Sequence, residues 1–342
     1  MTFLGNCRAT GIGSLPAGDV ASAIEAVFAY CPDLPAWPQL PKVSRAEGMV
    51  EQAAVGLPGL RIGAEGRLRL IQDEAFFLGV EKLFVAYESG DTSVAAMPPR
   101  SAAALEPFVE ALRGRGVAEA KGQIAGPVTV GMAILGEDGN PILYDDVLRD
   151  VLVKFLALRV RWQEARLASA GVRPIVFVDE PFLASFGTPF FNWSVAQARE
   201  ILEAVASGAA TTGSHCCSNT DWSIFLGSRL QIVSFDAFAF ADNFLVYRDD
   251  LAAFLSRGGN LAWGIVPTDP EAQATVTVDG LRQRLLALVG KVEALGFRRE
   301  QVLSQSLITP ACGLGARDPA TARRAQELVR DLSAALRRDY LA

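Results

Sequence analysis

The amino-acid sequence predicts an α/β fold, a (β/α)8 TIM barrel that forms a single domain over residues 1–342. Short runs rich in apolar and β-branched residues alternate with long amphipathic stretches, which is typical of parallel strands joined by helices. A chain of 342 residues has the length of one barrel with insertions, and we find no repeat or linker that divides it. Polar and reactive side chains directly follow the predicted strands, as expected where strand ends meet at a barrel mouth.

Seven strands are predicted from the short apolar runs. They cover residues 8–12, 121–125, 174–178, 210–214, 231–235, 261–266 and 304–309. The short segment 34–37 could supply an eighth strand and close the barrel. An open, doubly wound sheet is the alternative. The polar residues at the strand ends favour the barrel and are Ser14, Asp179, Glu180, His215, Cys217, Asp236, Thr268 and Cys312.

Five long amphipathic stretches between these strands predict helices. They are residues 19–30, 145–170, 196–206, 279–295 and 319–336. Residues 38–100 are rich in Pro and Gly and lack a clear period, so we interpret them as an irregular, elaborated N-terminal connection over the barrel mouth.

Composition excludes several classes of protein. Half of the residues are hydrophobic, a fifth are charged, and the net charge is −6 without a basic stripe, so we expect no nucleic-acid partner. No apolar run is long enough to span a membrane, and the first residues lack the pattern of a signal peptide. We therefore expect a cytoplasmic protein without a membrane partner.

The five cysteines are expected to be reduced, because their number is odd and the chain has no export signal. Cys7 and Cys31 lie in surroundings without a polar motif, and we interpret both as small buried hydrophobic residues.

A candidate metal site is built around the single histidine of the chain. His215 and Cys217 are two residues apart at the end of a predicted strand, so both side chains lie on one face while Cys216 points away. Cys312 follows another predicted strand and is a third soft donor. One imidazole and two thiolates are a typical zinc set. A packed core cluster without metal is the competing interpretation of such a short motif.

Asp236 is a candidate fourth ligand, because it ends the strand that follows His215. A carboxylate would be the hardest donor of the four and the easiest for a thiol to displace. A helix N-cap is an equally good interpretation of Asp236. Residues 11–13, Gly-Ile-Gly, lack the third glycine of a dinucleotide-binding fingerprint and are interpreted as a turn.

Several motifs resemble the catalytic C-terminal barrel of the cobalamin-independent methionine synthase family, over nearly the whole chain. They are GIGSLP at 11–16, GQIAGPV at 122–128, FVDEP at 177–181, HCC at 215–217, IVSFD at 232–236 and TPACGL at 309–314. The short "core" methionine synthases are most similar, through PAWPQLPK at 35–42, HCCSNTDW at 215–222 and WGIVPT at 263–268. Like them, this chain is expected to have no N-terminal barrel.

The resemblance implies Zn²⁺ bound by His215, Cys217 and Cys312, with Asp236 in the position where the long enzymes have a glutamate. It also implies that Asp179 contacts the amino group of L-homocysteine. Ser14 would lie near the backbone of that amino acid. Glu47 is the candidate for a second contact with the amino group, with Glu51 as the alternative alignment. Asn219 and Asp221 would support the site from outside, although a turn-and-cap role is as good an interpretation.

Two positions depart from the family pattern. Ala17 stands where the family often has a histidine or another polar residue, so any role of that side chain is absent. The side chain of Asp236 is shorter by one methylene than the family's glutamate, so its bond to zinc is expected to be longer or absent.

The implied activity is a zinc-dependent transfer of a methyl group to the thiol of L-homocysteine, giving L-methionine. For an enzyme without an N-terminal barrel the expected donor is a methylcobamide, either methylcobalamin or the cofactor of a corrinoid protein partner, rather than methyltetrahydrofolate. Alternatives are a methylcobamide:coenzyme M-type thiol methyltransferase and a non-catalytic zinc-containing binding module. A uroporphyrinogen decarboxylase shares the barrel but needs no metal, so it does not explain three soft ligands.

Overall fold

A parallel β-sheet forms the centre of the computed structural model, which describes residues 3–63, 66–189 and 191–341. Its order is β1-β9-β8-β7-β6-β5-β4, and every neighbouring pair is parallel. The strands are β1 (Arg8–Ala9), β4 (Glu119–Ala125), β5 (Arg173–Asp179), β6 (Thr212–Cys216), β7 (Ile232–Phe235), β8 (Asn260–Val266) and β9 (Ser306–Pro310). The seven strands predicted from the sequence are therefore confirmed, with shifts of a few residues at their ends.

The sheet is curled like part of a barrel but is not a closed eight-stranded one. The predicted eighth strand over residues 34–37 is wrong as a regular strand. This segment makes one isolated parallel bridge, Ala36 to Lys121 on β4, and Gln39 just after it makes another, to Ser14 beyond β1. Its sequence explains this, because prolines at 35, 38 and 41 have no N–H to donate to a ladder.

Helices connect successive strands, and the five that the sequence predicts are confirmed. The helices of the described chain are α1 (Val20–Tyr30), α2 (Met49–Ala54), α3 (Glu74–Ser89), α4 (Leu105–Arg115), α5 (Pro127–Ala133), α6 (Asp146–Ala168), α7 (Val195–Ala206), α8 (Ser223–Leu226), α9 (Ala237–Phe244), α10 (Arg248–Ser256), α11 (Pro270–Thr275), α12 (Val278–Glu293), α13 (Arg299–Ser304) and α14 (Pro319–Tyr340). Short 3₁₀ helices cover Arg45–Glu47, Ser93–Ala95, Pro99–Ser101, Ile142–Tyr144 and Pro181–Ser185.

Residues 38–100 are more regular than the sequence indicates. They contain α2, the long helix α3 and an antiparallel hairpin of β2 (Leu60–Ile62) and β3 (Leu68–Leu70). The side chain of Asp73 accepts the backbone N–H of Phe76 and caps α3, which ends at Gly90 with φ of +76°. These are ordinary start and stop signals of a helix, and the Pro- and Gly-rich composition around them masked the pattern.

The apolar core extends through most of the chain, from Cys7 to Leu336. A second, smaller cluster fills the inside of the curled sheet with Phe3, Leu34, Ile175, Phe177, Ile232, Ala262 and Leu307. Cys7 and Cys31 are buried, as expected. In the described part of the chain, no helix has the length and apolar character needed to cross a bilayer.

Candidate metal and substrate site

A cavity of about 270 Å³ lies at the carboxyl ends of the parallel strands and contains most of the predicted site residues. Its walls include Ser14, Gln39, Glu47, Gln52, Gln123, Asp179, His215, Cys217, Cys312 and Gly313. The same wall carries apolar side chains, among them Ile12, Met49 and Ile124. Side chains from β4, β5 and β6, and from the segments beyond β1 and β9, therefore meet in a single pocket.

His215 is held in place by the neighbouring strand. Its Nδ1 atom lies 2.9 Å from the hydroxyl oxygen of Ser234, the residue directly opposite it in the pairing of β6 with β7. The other ring nitrogen, Nε2, is buried and has no hydrogen-bond partner among the described residues. A buried nitrogen without a partner is uncommon in folded proteins and requires an explanation.

Two cysteines near His215 explain why its Nε2 atom has no hydrogen-bond partner, because together they form a candidate metal site. The candidate ligand atoms of His215, Cys217 and Cys312 all lie within 4.8 Å of one another. Cys216 is directed away from them, as the alternation of a strand requires, and its thiol faces the carbonyl oxygen of Ser218 at 3.5 Å. Burial raises the pKa of Cys216 to about 12, so this thiol stays neutral. The three converging donors fit a tetrahedral zinc ion with one position left for another ligand.

The two converging thiols change each other's pKa in opposite directions. The thiol of Cys312, followed by the nearby ring of His215, lowers the pKa of Cys217, whereas burial of Cys217 acts in the opposite direction. The pKa of Cys312 is raised in turn, because its thiol donates a hydrogen bond to Cys217, because it is buried, and because a second negative charge beside Cys217 is unfavourable. The lowered pKa of Cys217 favours its thiolate, which is the form that binds a metal ion.

Asp236 occupies the N-cap position of α9. One of its carboxylate oxygens accepts the backbone N–H of Ala239 at 2.8 Å. Burial raises the pKa of this carboxyl, and the backbone N–H of Ala239 and the His215 ring oppose that shift. Asp236 does not belong to the group of donors that lie within 4.8 Å of one another in the described chain. The N-cap interpretation is therefore observed, and a role as fourth ligand stays a prediction.

Asp179 ends β5 on the wall of the cavity and is 8% exposed. Its Oδ1 atom is buried and has no hydrogen-bond partner among the described residues. Burial raises the pKa of this carboxyl, while the nearby charges of Lys121 and His215 lower it. A carboxylate on a cavity wall with an oxygen that lacks a partner is suited to a ligand that carries a hydrogen-bond donor.

Lys121 is a buried residue of β4 that the sequence analysis did not single out. Its Nζ atom donates to the carbonyl oxygen of Ile12 at 2.6 Å and to Oε1 of Gln123 at 3.2 Å. Burial lowers the pKa of Lys121 to about 8, and the charge of Asp179 opposes this shift. A lysine within an apolar strand was the available signal, because lysine is rarely buried without a partner.

Ser14 and Glu47 both lie at the cavity, and both already have backbone partners. The Ser14 hydroxyl accepts the N–H of Gly315 at 3.1 Å, which leaves its own hydrogen free to donate. The carboxylate of Glu47 accepts the N–H of Leu40 at 2.6 Å and that of Ala103 at 2.8 Å. Glu51 is not among the residues that line the cavity, so Glu47 is the better placed of the two alternatives.

Glu180 has a structural role next to the site. Its carboxylate accepts the backbone N–H groups of Val128 and Thr129, each at 2.8 Å, and the hydroxyl of Thr129 at 2.6 Å. Burial raises its pKa to about 7, and these bonds oppose the shift.

Asp221 caps a turn through the N–H and hydroxyl of Ser223, while Asn219 is exposed. The two hydrogen bonds to Ser223 therefore support the turn-and-cap interpretation of Asp221.

Comparison with known proteins identifies a family. A sequence profile described as "Cobalamin-independent synthase, Catalytic domain" matches residues 101–335. This match includes Asp179, His215, Cys217 and Cys312. No curated protein matches the chain by sequence.

Three solved structures are compared with the chain, all at low sequence identity. A methyltransferase from Methanosarcina mazei superposes with a TM-score of 0.53 at 13% identity, over 96% of this chain and 93% of that one. A structure of fungal β-1,4-galactanases gives a TM-score of 0.37 at 14% identity, with 67% and 84% covered. Dihydropteroate synthase from Thermus thermophilus gives 0.31 at 15% identity, with 96% and 95% covered. Only the first superposes closely enough to support a conclusion, and that conclusion concerns the fold.

Proposed function

Because the chain belongs to the family of cobalamin-independent synthase catalytic domains, we propose that it is a zinc-dependent methyltransferase acting on the thiol of L-homocysteine, with L-methionine as the product. The resemblance to this family noted from the sequence motifs is confirmed by the profile match. The substrate, the metal and the methyl donor are our proposal.

The observation that carries the proposal is the convergence of three donors on one point. The unpartnered Nε2 atom of His215 is buried beside the thiols of Cys217 and Cys312 at the end of the sheet. A nitrogen and two sulfur donors are the ligand set that zinc prefers over harder ions such as Mg²⁺. A purely structural zinc site is usually closed by four protein ligands, so three close donors support a site with room for substrate.

Zinc at this position would stabilise the thiolate form of a substrate thiol near neutral pH. The protein itself supplies position and charge. The unpartnered Oδ1 atom of Asp179 would accept a hydrogen bond from the ammonium group of the amino acid. The hydroxyl of Ser14 would donate a hydrogen bond to the carboxylate of the amino acid. Glu47 is retained as a second contact for the ammonium group. Apolar side chains such as Ile124 keep water away from the reacting sulfur.

The charge of the cavity supports an amino-acid thiol over a thiol sulfonate. Among the described residues that line it there are two carboxylates, Glu47 and Asp179, and no lysine or arginine. A sulfonate such as that of coenzyme M would have to be buried beside these two acids, with no lysine or arginine in the lining to pair with it, which is costly. An ammonium group would instead neutralise them.

For the donor we retain a methylcobamide, either methylcobalamin or the cofactor of a corrinoid protein. The new S–C bond would form as the Co–C bond of the donor breaks, with both electrons of that bond left on cobalt and the thiol proton released to solvent. In-line approach requires that the sulfur faces the open side of the cavity.

We further propose a single domain over residues 1–342, which the continuous core supports, and a cytoplasmic location.

The test combines metal content with turnover. We expect wild-type protein to bind zinc stoichiometrically and to form methionine from homocysteine and methylcobalamin. Cys312→Ala should lose most of the zinc and the activity. Cys216→Ala is the matched control, since this neighbouring thiol is directed away from the site and its loss should leave zinc bound.

Full zinc occupancy and activity in Cys312→Ala would contradict the site. Equal transfer from methyltetrahydrofolate would contradict the methylcobamide donor. Homocysteine binding without turnover of any methyl donor would support the alternative of a non-catalytic zinc module.

A further inference from the structure

The bond between His215 and Ser234 connects two buried residues inside the curled sheet. His215 is 4% exposed and Ser234 is fully buried. They lie opposite each other on β6 and β7, with 2.9 Å between Nδ1 and the hydroxyl oxygen. Among the described residues, His215 is the one side chain that the Ser234 hydroxyl contacts by a hydrogen bond. Nothing in the sequence motifs had singled out Ser234.

A neutral imidazole carries its proton on one nitrogen only, so the partner of Nδ1 affects what Nε2 can do. If Nδ1 carries the proton, it donates to the oxygen of Ser234, and Nε2 presents a lone pair to Cys217 and Cys312. If Nε2 carries the proton, it has no lone pair to offer a metal ion, and the hydroxyl of Ser234 would donate to Nδ1 instead. A metal ion bound at Nε2 therefore requires the proton on Nδ1, with the oxygen of Ser234 as its acceptor.

We infer that Ser234 is a positioning residue, whose hydroxyl accepts the Nδ1–H of His215 and thereby aims the Nε2 lone pair at the two thiols. This inference rests on the metal site of the proposed function and extends it to a residue that does not contact the metal. The bond also limits rotation of the ring, because a turned ring would lose its partner in an apolar interior.

The local sequence is consistent with this role. Alternation along β7 directs Ile232 and Ser234 to the same side of the sheet, and Ile232 belongs to the apolar cluster inside it. A hydroxyl among such neighbours is unfavourable unless it is hydrogen-bonded. The hydrogen bond to His215 therefore offsets the unfavourable burial of the Ser234 hydroxyl.

The single histidine makes the inference directly measurable. In metal-free protein labelled with ¹⁵N at the imidazole, every ring signal comes from His215. We expect the Nδ1–H tautomer in the wild type and in Ser234→Thr, which keeps the hydroxyl. Ser234→Ala should populate the Nε2–H tautomer as well. Its zinc dissociation constant, measured by competition with a chelator, should rise roughly ten- to hundredfold.

Ser333→Ala is the matched control. Ser333 is also buried, and its hydroxyl makes a single bond, to the carbonyl oxygen of Cys7 at 2.7 Å, away from the site. Its removal should change neither the tautomer nor zinc affinity. Urea unfolding of each variant would show whether it is folded when it is measured.

An unchanged tautomer together with wild-type zinc affinity in Ser234→Ala would overturn the inference and leave the proposed function intact. A Nε2–H tautomer in the wild type would also overturn it. A wild-type protein that binds no zinc would contradict the proposed function itself, whatever the tautomer. If Ser234→Ala is unfolded, loss of the Nδ1–H signal and weaker zinc binding in Ser234→Cys are the expected results, and wild-type values there would overturn the inference.

Discussion

The ammonium group of Lys121 donates to the carbonyl oxygen of Ile12, at 2.6 Å, across the gap between the two edges of the parallel sheet. The backbone of Lys121 also accepts the N–H of Trp37 at 2.8 Å and donates to the carbonyl oxygen of Pro35 at 2.9 Å. One residue of β4 thus holds both the irregular segment in the gap and the chain beyond β1. We call this region the seam, and two of the residues that Lys121 contacts there, Ile12 and Gln123, also line the cavity.

Lys121→Met should lower the free energy of unfolding by about 1–3 kcal/mol, because the carbonyl oxygen of Ile12 would lose a charged donor inside the protein. Urea unfolding at pH 7 measures the change. Lys154→Met is the control, since Lys154 pairs with a half-exposed Asp150 and should change the stability by less than about 1 kcal/mol. Wild-type stability of Lys121→Met would show that the seam does not depend on this bond.

Gly264 leaves space for two strand ends that carry site residues. A Cβ atom at this position would lie 2.5 Å from the carbonyl oxygen of Phe235 and 2.9 Å from Cα of Ala311. Gly264→Ala should therefore destabilise the fold by about 1–3 kcal/mol and weaken zinc binding, since Cys312 follows Ala311. Gly114→Ala, on α4 with open space around it, should stabilise by roughly 0.5–1 kcal/mol. Thermal unfolding and zinc titration of both variants distinguish a local clash from a general intolerance of alanine.

Asp236 can be tested for its two roles separately. Asparagine is as good an N-cap as aspartate but is a poor zinc ligand, whereas alanine provides neither function. If Asp236 binds zinc, Asp236→Asn should keep the stability of the metal-free protein and raise the zinc dissociation constant at least about tenfold. Asp236→Ala should lose about 1 kcal/mol as well, through the lost bond to Ala239. Wild-type zinc affinity in Asp236→Asn would leave Asp236 as a cap only.

Asp179→Asn should selectively weaken recognition of the ammonium group of the substrate. We expect kcat/KM for homocysteine to fall roughly 10- to 100-fold, because a charge-assisted bond to the substrate is replaced by a neutral amide. The comparison substrate is 4-mercaptobutanoate, which has the thiol and carboxylate but no amino group. Wild type should prefer homocysteine strongly and Asp179→Asn much less. An equal loss for both thiols would indicate that Asp179 acts on the fold or the metal instead.

Alkaline pH should destabilise the protein through its buried thiols. Burial raises the pKa of Cys31 to about 12, above the roughly 8.5 of an unfolded cysteine. Stability from this group is therefore complete below pH ~8.5 and is lost as the pH rises towards 12. The slope of unfolding free energy against pH should be smaller in Cys31→Ala, between pH 8.5 and 10. Val27→Ala, a truncation in the same core without a titratable group, should lower the stability and leave the slope unchanged.

The sequence by itself determined the strands, the main helices and the three soft donors. The spacing of apolar residues along the chain indicates the local conformation, so the seven parallel strands could be predicted from short apolar runs between amphipathic stretches. The period of two along β6 also places His215 and Cys217 on one face and Cys216 on the other. The helix α3 was missed although Asp73 and Gly90 mark its ends, because the composition around it is typical of a loop.

Only the tertiary structure decided which distant groups meet. Ser234 lies against His215, Lys121 reaches Ile12, and Glu180 accepts the first N–H groups of α5, yet none of these pairs is close in sequence. Likewise, the tertiary structure shows Asp236 as the cap of α9 through its bond to Ala239, while its role as a metal ligand stays a prediction. Such contacts depend on how far the sheet curls and on the register of its strands, which follow from packing of the whole core rather than from any local pattern.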